Sequence, residues 1–213
     1  MRQPILPVQI IPFLSLSLLL NLNIIKKAEA QNWDIKLLDQ LNQAPENDPD
    51  HGLKFITDNA CIIDITTPTS ILLTGLIKKD KELTNKGLVI GTAYLGTAIL
   101  TTAFKNIIKR PRPFETYPDI IYPKSDAGGY SFPSGHTSTA FSTATSLSLA
   151  FPKWYVAIPA YAYAGTVAYT RMDLGVHYPS DVLAGALLGS GTAYLSWKIN
   201  KTLQHKQKSV KKL

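Results

Sequence analysis

The feature that most constrains this chain is a series of five apolar blocks separated by short charged connectors. Hydrophobic residues make up 45% of the sequence, which is ordinary for a soluble protein, so their grouping matters more than their number. A helix needs about 20 apolar residues to span a bilayer, and these blocks are slightly shorter and contain Thr, Ser and Gly. The pattern predicts an all-α bundle of about five helices, either membrane-spanning or buried in a soluble protein. The blocks cover approximately 61–77, 87–104, 137–151, 154–170 and 182–198.

The positions of the positive charges favour the membrane alternative. Connector 78–86, the connector that contains Lys153, and the tail 199–213 are all positively charged. If residues 31–60 lie outside the cytoplasm, all three fall on the inner side, as the positive-inside rule requires. The tail supplies much of the net charge of +7 and directly follows an apolar block, which indicates anionic lipid rather than nucleic acid as its partner.

The N-terminal segment resembles a targeting sequence. Arg2 precedes an apolar run over residues 10–25, and Ala28-Glu29-Ala30 fits the small-x-small pattern of a signal-peptidase site. We predict that residues 1–30 form a signal peptide, with an uncleaved first membrane helix as the alternative. Both alternatives place residues 31–60 on the outer side.

Residues 31–60 are polar and acidic, and they precede the predicted core domain at 61–198. Their first part contains one amphipathic stretch that we expect to form a short helix along the membrane interface. Residues 45–50 read as a loop, and His51 lacks a partner motif. The apolar face of the stretch consists of Trp33, Ile35, Leu37, Leu38 and Leu41.

Cys61 is the only cysteine in the chain. An intrachain disulfide and a cysteine-based zinc site are therefore both excluded. We expect its thiol to be buried as a small apolar side chain.

The first polar cluster lies at the start of the long connector 106–133. Lys105 ends an apolar block, and Arg112-Pro113 follows shortly after it. Cations in this position are usually interfacial anchors, but together with other cations they could clamp an anion. The prolines and glycines of the connector forbid a continuous helix, and its aromatic residues favour a structured lid or a membrane-surface rim.

The second cluster, Pro133-Ser134-Gly135-His136, reads as the beginning of a helix. Ser134 is a natural N-cap, and His136 falls in the first turn. Free backbone N–H groups at a helix start bind anions, and Gly135 lets the backbone approach them closely. The alternative for His136 is a polar residue that merely ends the helix.

The third cluster contains Arg171, His177 and Asp181. Arg171 closes an apolar block, and Pro179 fits the first turn of the next helix. His177 and Asp181 are close enough for the carboxylate to accept a hydrogen bond from one imidazole nitrogen, which would leave the other nitrogen free to attack. Asp181 could instead only complement the helix dipole.

The three clusters together resemble the signature of the type-2 phosphatidic acid phosphatase and vanadium haloperoxidase superfamily. Lys105 to Arg112-Pro113 fits its K-x6-R-P motif, residues 133–136 fit P-S-G-H, and residues 170–181 fit S-R-x5-H-x3-D. Thr170 departs from the usual serine but keeps a hydroxyl. The resemblance covers roughly residues 60–198.

The resemblance implies an all-α core with a metal-independent site that needs no cofactor. His177 would be the nucleophile that forms a phosphohistidine, Asp181 would orient it, and His136 would protonate the leaving oxygen. The groups that bind the phosphate oxygens would be Lys105, Arg112, Ser134, the Gly135 N–H and Arg171.

We therefore expect a multi-pass phosphatase of lipid phosphates in a bacterial inner membrane, with its site facing the periplasm. Phosphatidic acid, phosphatidylglycerol phosphate, lipid A phosphates and undecaprenyl pyrophosphate all fit as substrates. The alternatives are a soluble secreted acid phosphatase of the same superfamily, a vanadate-dependent haloperoxidase, and a non-catalytic lipid-binding or transport protein. The oligomeric state stays open.

Overall fold

The computed structural model describes residues 33–42 and 51–210, which are mostly helical and contain no strand. The predicted signal peptide at 1–30, the predicted loop at 45–50 and the end of the tail at 211–213 lie outside these residues. In chain order the helices are α1 (33–41), α2 (His51–Asp58), α3 (Ala60–Ile77), α4 (Lys81–Ile108), α5 (Pro113–Thr116), α6 (Gly135–Ala150), α7 (Trp154–Asp173) and α8 (Pro179–Val210).

Large apolar side chains cover the outside of the bundle, and small ones fill its inside. Ile77 is 82% exposed and Ile107 is 75% exposed, whereas Ala140, Ala144 and Ala164 are buried in the core. A lipid-facing surface with small residues at the helix contacts is typical of membrane bundles. Helix α3 and the segment Lys81–Thr116 are each long and apolar enough to cross a membrane.

Helix α6 packs against α4, α7 and α8, and its contact with α8 depends on glycine. A β-carbon at Gly185 would lie 2.8 Å from the carbonyl oxygen of Ser134, and one at Gly189 would clash with the backbone of Ser138. Gly185 and Gly189, a G-x-x-x-G pair, therefore allow a close approach between α8 and the beginning of α6.

The long helices alternate in direction, so five of their ends lie on one side of the bundle. These are the C-terminal ends of α4 and α7 and the N-terminal ends of α3, α6 and α8. A backbone hydrogen bond from Ser134 N to the carbonyl oxygen of Asp181, 3.0 Å long, joins the last two ends. All three polar clusters of the sequence lie at this side.

Two helices extend beyond the apolar blocks that predicted them. Helix α4 already begins at Lys81 because the carboxylate of Asp80 accepts hydrogen bonds from the N–H groups of Glu82 and Leu83 at 2.9 and 3.0 Å. Helix α8 continues to Val210, so the part of the predicted tail that is described, 199–210, is helical.

The amphipathic stretch forms the predicted short helix α1, and part of its apolar face packs against the rest of the protein. Leu38 is fully buried against Ile121 and Tyr178, close to the polar clusters. Asn42 donates to the carbonyl oxygens of Tyr122 and Asp173 at 2.9 and 2.6 Å and accepts from Tyr122 N at 2.7 Å. The long connector and the end of α7 therefore hold α1 in place.

Candidate active site

A cavity of about 440 Å³ opens where the helix ends meet. Its charged and titratable lining includes three cations and two imidazoles that lie far apart in the sequence. The structure therefore brings the three predicted clusters to one place, and Gly135 lines the same cavity. Ser134 and Asp181 are fully buried next to these residues. The cations and imidazoles are those of Lys105, Arg112, His136, Arg171 and His177.

The second cluster begins α6 as predicted, but Ser134 does not cap the helix with its side chain. Its backbone angles are those of an N-cap residue, with φ −68° and ψ 115°, yet no helix N–H donates to its hydroxyl. The hydroxyl instead pairs with that of Thr137 at 2.9 Å. The first N–H groups of α6 are therefore not occupied by the side chain of Ser134 and suit an anion in the cavity.

His177 and Asp181 lie together, but at a longer distance than a hydrogen bond. Nδ1 of His177 is 3.6 Å from Oδ2 of Asp181 and has no hydrogen-bond partner among the described residues. Oδ2 accepts a hydrogen bond from the backbone N–H of Tyr178 at 3.0 Å. Asp181 thus acts on His177 as a nearby negative charge in this conformation.

The environment of His177 keeps its imidazole neutral. The pKa of His177 is lowered to about 3, mainly by complete burial and also by the positive charges of Arg112 and Arg171, whereas the carboxylate of Asp181 opposes the shift. A neutral imidazole is the form that can attack an electrophile, so this pKa suits a nucleophile at neutral pH.

Backbone carbonyl groups of the long connector hold two of the three cations. Nε and Nη2 of Arg112 donate to Gly129 and Gly128 at 3.0 and 2.7 Å, and Nη1 donates to Val176 at 2.8 Å. The ammonium group of Lys105 donates to the carbonyl oxygen of Tyr130. The connector is thus a structured rim. Because its carbonyl groups carry no net charge, they fix the cations without neutralising them.

Arg171, in the last turn of α7, is the third cation of the cavity. It is only 5% exposed, and its Nε has no hydrogen-bond partner among the described residues. A buried donor without a partner is costly, so the arrangement favours an acceptor in the cavity.

The sequence pattern indicated no role for Arg110, which lies between Lys105 and Arg112 in the first cluster. Its guanidinium group bridges two carboxylates, with Nη1 2.7 Å from Oδ1 of Asp181 and Nη2 2.8 Å from Oδ2 of Asp34. These partners are 71 and 76 positions away, so the motif spacing could not reveal them.

The prediction for Cys61 is wrong. Its thiol is exposed rather than buried, and the residue lines the cavity. It lies in the first turn of α3, and the apolar character of this block concealed its position at the site.

No group of three His, Cys, Asp or Glu side chains within residues 33–42 and 51–210 has a metal-binding arrangement. The expectation of a site that needs neither metal nor cofactor stays a prediction, which chelation can test.

Comparison with known proteins relates this geometry to lipid phosphatases. The family model described as the PAP2 superfamily matches residues 86–204. The undecaprenyl-diphosphatase of Sulfolobus acidocaldarius is 35% identical over 136 residues, which is 62% of this chain and 64% of that protein. The lipid A 4'-phosphatase of Bacteroides thetaiotaomicron is 34% identical over 94 residues, which is 43% of this chain and 42% of that protein. The chain thus spans less than two thirds of the length of these curated relatives.

A solved structure has a similar fold. The crystal structure of the first transmembrane PAP2-type phosphatidylglycerolphosphate phosphatase from Bacillus subtilis is 25% identical and superposes with a TM-score of 0.67. The match covers 88% of this chain and 96% of that one. Together with the apolar outer surface, this likeness confirms the predicted membrane-embedded all-α bundle.

Proposed function

The chain belongs to the PAP2 superfamily, and from that premise we propose that it is a phosphatase that hydrolyses phosphate monoesters or pyrophosphates of membrane lipids. The observation that carries this proposal is the convergence of Lys105, Arg112 and Arg171 with His136 and His177 around one cavity. Phosphoryl transfer depends mainly on positioning and on positive charge around the equatorial oxygens, and this cavity supplies both.

The reaction we propose has two displacements at phosphorus. In the first, Nε2 of His177 attacks, because Nδ1 is turned toward Asp181. A nitrogen–phosphorus bond forms, the bond from phosphorus to the leaving oxygen breaks, and that oxygen takes a proton from His136. Burial and the neighbouring cations lower the pKa of His136 to about 4, so the negative charge of the bound phosphate has to raise this pKa for His136 to carry the proton. In the second, His136 accepts a proton from water as the water oxygen attacks phosphorus, which releases orthophosphate and restores His177.

The remaining predicted residues have electrostatic roles in this scheme. Arg112 and Lys105 are already held by the connector, so little rearrangement is needed when phosphate arrives. The unpartnered Nε of Arg171 favours a further phosphate contact. Gly135 lines the same cavity at the beginning of α6, and we propose that its N–H binds a phosphate oxygen. Ser134 would contribute its hydroxyl by turning from Thr137 toward a phosphate oxygen.

The surface of the protein supports a lipid as the substrate. The cavity lies where the long helices end, and two of those helices have the length and apolarity of membrane spans. An amphiphile in the bilayer would present its headgroup at that level. We propose a multi-pass protein of a bacterial inner membrane with the cavity on the periplasmic side. Release of the protein from membranes by carbonate would contradict this topology and favour the soluble phosphatase.

The central experiment compares the purified protein with His177→Ala. Orthophosphate release is measured from phosphatidic acid, phosphatidylglycerol phosphate, lipid A phosphates and undecaprenyl pyrophosphate. We expect the variant to lose turnover of the lipids that the unsubstituted protein hydrolyses, while orthovanadate inhibits and EDTA has little effect. With radiolabelled substrate and an alkaline quench, in which phosphohistidine persists, label should remain on the unsubstituted protein alone. Near-normal activity of His177→Ala would refute the nucleophile assignment.

His136→Ala tests the assignment of the acid. The variant should lose more activity with a monoester, whose alkoxide is a poor leaving group, than with a pyrophosphate. Equal losses for the two substrates would contradict the role of His136 in protonating the leaving oxygen.

A further inference from the structure

We propose that Arg110 is a positioning residue for turnover and that helix α1 fixes it through Asp34. This inference rests on the proposed function, because the group that Arg110 positions is Asp181, the partner of the nucleophile. It assigns a part in the reaction to a segment that lies outside the matched region 86–204.

Arg110 joins the two carboxylates through both ends of its guanidinium group. Nη1 donates to Oδ1 of Asp181 at 2.7 Å, and Nη2 donates to Oδ2 of Asp34 at 2.8 Å. The guanidinium carbon also lies 3.7 Å from the centre of the Tyr178 ring. These contacts on three sides leave the side chain a single arrangement.

The hydrogen bond from Arg110 holds the second oxygen of the Asp181 carboxylate in place. Arg110 holds Oδ1, while the backbone N–H of Tyr178 holds Oδ2, the oxygen that faces Nδ1 of His177. A carboxylate bound at both oxygens cannot rotate about its terminal bond. Without Arg110, this fully buried carboxylate would lose its charge partner and its orientation toward His177.

Asp34 connects α1 to the same group and to the beginning of α8. Besides Arg110, its carboxylate accepts from the backbone N–H of Ser180 at 2.9 Å and from the Ser180 hydroxyl. A carboxylate at a helix N-terminus is favoured by the helix dipole. Its side chain is only 5% exposed, so the network is protected from water.

Helix α1 is itself held against the rest of the protein by apolar contacts and by hydrogen bonds. Leu38 is buried against Ile121 and Tyr178, and the side chain of Asn42 makes three hydrogen bonds to backbone groups. Tyr178, which directly follows His177 in the chain, contacts both Leu38 of α1 and Arg110. The apolar contact of α1 and its ion pair through Asp34 therefore lie next to the same residue. We therefore assign α1 a role in holding the nucleophile's partner.

The experiment measures kcat and the inhibition constant of orthovanadate for Arg110→Gln, Arg110→Lys and Asp34→Asn. We expect Arg110→Gln to lower kcat by up to about a hundredfold, as misplacement of a catalytic group can do, with an orthovanadate inhibition constant within about twofold of the original. Asp34→Asn should lower kcat by no more than about tenfold, since Arg110 keeps its contact with Asp181. Arg110→Lys should have a kcat between those of Arg110→Gln and the unsubstituted protein, because lysine keeps the positive charge but cannot contact both carboxylates in the same way.

Two further variants separate positioning from general stability. Asp34→Asn combined with Arg110→Gln should be no slower than Arg110→Gln alone, because Asp34 acts through Arg110. The matched control is Asp173→Asn, which breaks the 2.8 Å ion pair with Lys124 next to Asn42 without touching Asp181. It should retain the original kcat.

The outcomes also separate this inference from the proposed function. If His177→Ala is inactive while folded Arg110→Gln and Asp34→Asn turn over normally, the positioning role is refuted and the phosphatase assignment stands. Equal losses of kcat in Asp173→Asn and Asp34→Asn would likewise refute it. If Arg110→Gln does not fold, the kcat values of Asp34→Asn and Arg110→Lys test the positioning role without it, and normal kcat in both would refute that role. Activity of His177→Ala would instead refute the proposed function.

Discussion

Arg110 and Arg112 are two positions apart in the same connector, yet their charges face different partners. Arg110 lies between the carboxylates of Asp34 and Asp181, which together outweigh its charge. Arg112 donates to three neutral carbonyl groups, and no ion pair to it occurs among the described residues. Arg110 therefore links parts of the protein through its two ion pairs, whereas the positive charge of Arg112 stays available to an anion. Proximity in sequence does not give two cations the same role.

The largest expected difference between the two arginines concerns the binding of phosphate. Arg112→Gln should lower kcat/KM by about 10²–10³ because it removes a fixed positive charge from the developing phosphoryl group. It should also weaken inhibition by orthovanadate, whereas Arg110→Gln should leave that inhibition nearly unchanged. Orthophosphate release at increasing orthovanadate concentrations measures both effects. Equal inhibition constants in the two variants would remove the distinction between the arginines.

The histidine that both arginines influence gives a second test, based on pH. The pKa of His177 is about 3 in the folded protein, whereas an unfolded histidine has a pKa of about 6.5. As the pH falls from about 6.5 to 5, the unfolded chain takes up a proton that the folded site does not accept. The free energy of unfolding should therefore decrease by about 2 kcal/mol because of this group.

Thermal unfolding in detergent at about pH 7.5 and about pH 5 can check this loss. The unsubstituted protein should lose more stability than His177→Gln on acidification, since the variant has no imidazole at this position. The same loss in both would show that other groups cause the pH dependence.

A smaller effect is expected from the packing that supports the phosphate side of the site. Gly185→Ala would place a methyl group 2.8 Å from the carbonyl oxygen of Ser134, so α6 and α8 must separate. We expect a loss of about 1–3 kcal/mol in stability, as in other overpacked contacts. The matched control is Gly165→Ala on α7, where a β-carbon meets no atom within 4 Å. Equal melting temperatures of the two variants would contradict the close packing of α6 on α8.

The smallest expected effect belongs to the one departure from the family motif. Thr170 is buried, and its hydroxyl donates to the carbonyl oxygen of Thr166 at 2.8 Å, a bond that serine can also make. Thr170→Ser should therefore change stability by less than about 1 kcal/mol and leave kcat/KM within about twofold. Thermal unfolding and kinetic measurements on the same preparation check this. A large loss of activity would show that the methyl group helps to place Arg171.

The contrast between the arginines also shows which parts of the molecule the sequence reveals. The apolar blocks predicted the long helices because apolar runs of this length have few alternatives to a helix in a bilayer. The motif residues predicted the cavity, since Lys105, His136 and Arg171 each stand at the end of such a block. Both kinds of information are local in the sequence.

The parts that escaped prediction depend on contacts between distant residues. The role of Arg110 follows from Asp34 and Asp181, and no spacing rule connects those positions. Helix α1 was predicted from its amphipathic pattern, but an amphipathic face does not reveal whether lipid or protein covers it. The beginning of α4 at Lys81 depends on the cap by Asp80, whose effect was hidden in a charged connector.

The exposed thiol of Cys61 at the rim of the cavity has a practical consequence. Because the sequence contains no second cysteine, a maleimide dye would attach to this chain at Cys61. The fluorescence of the bound dye, or the rate at which the dye reacts, would report whether a ligand occupies the cavity, and no substitution in the chain would be needed. Binding could thus be followed optically even in a variant that has lost all turnover.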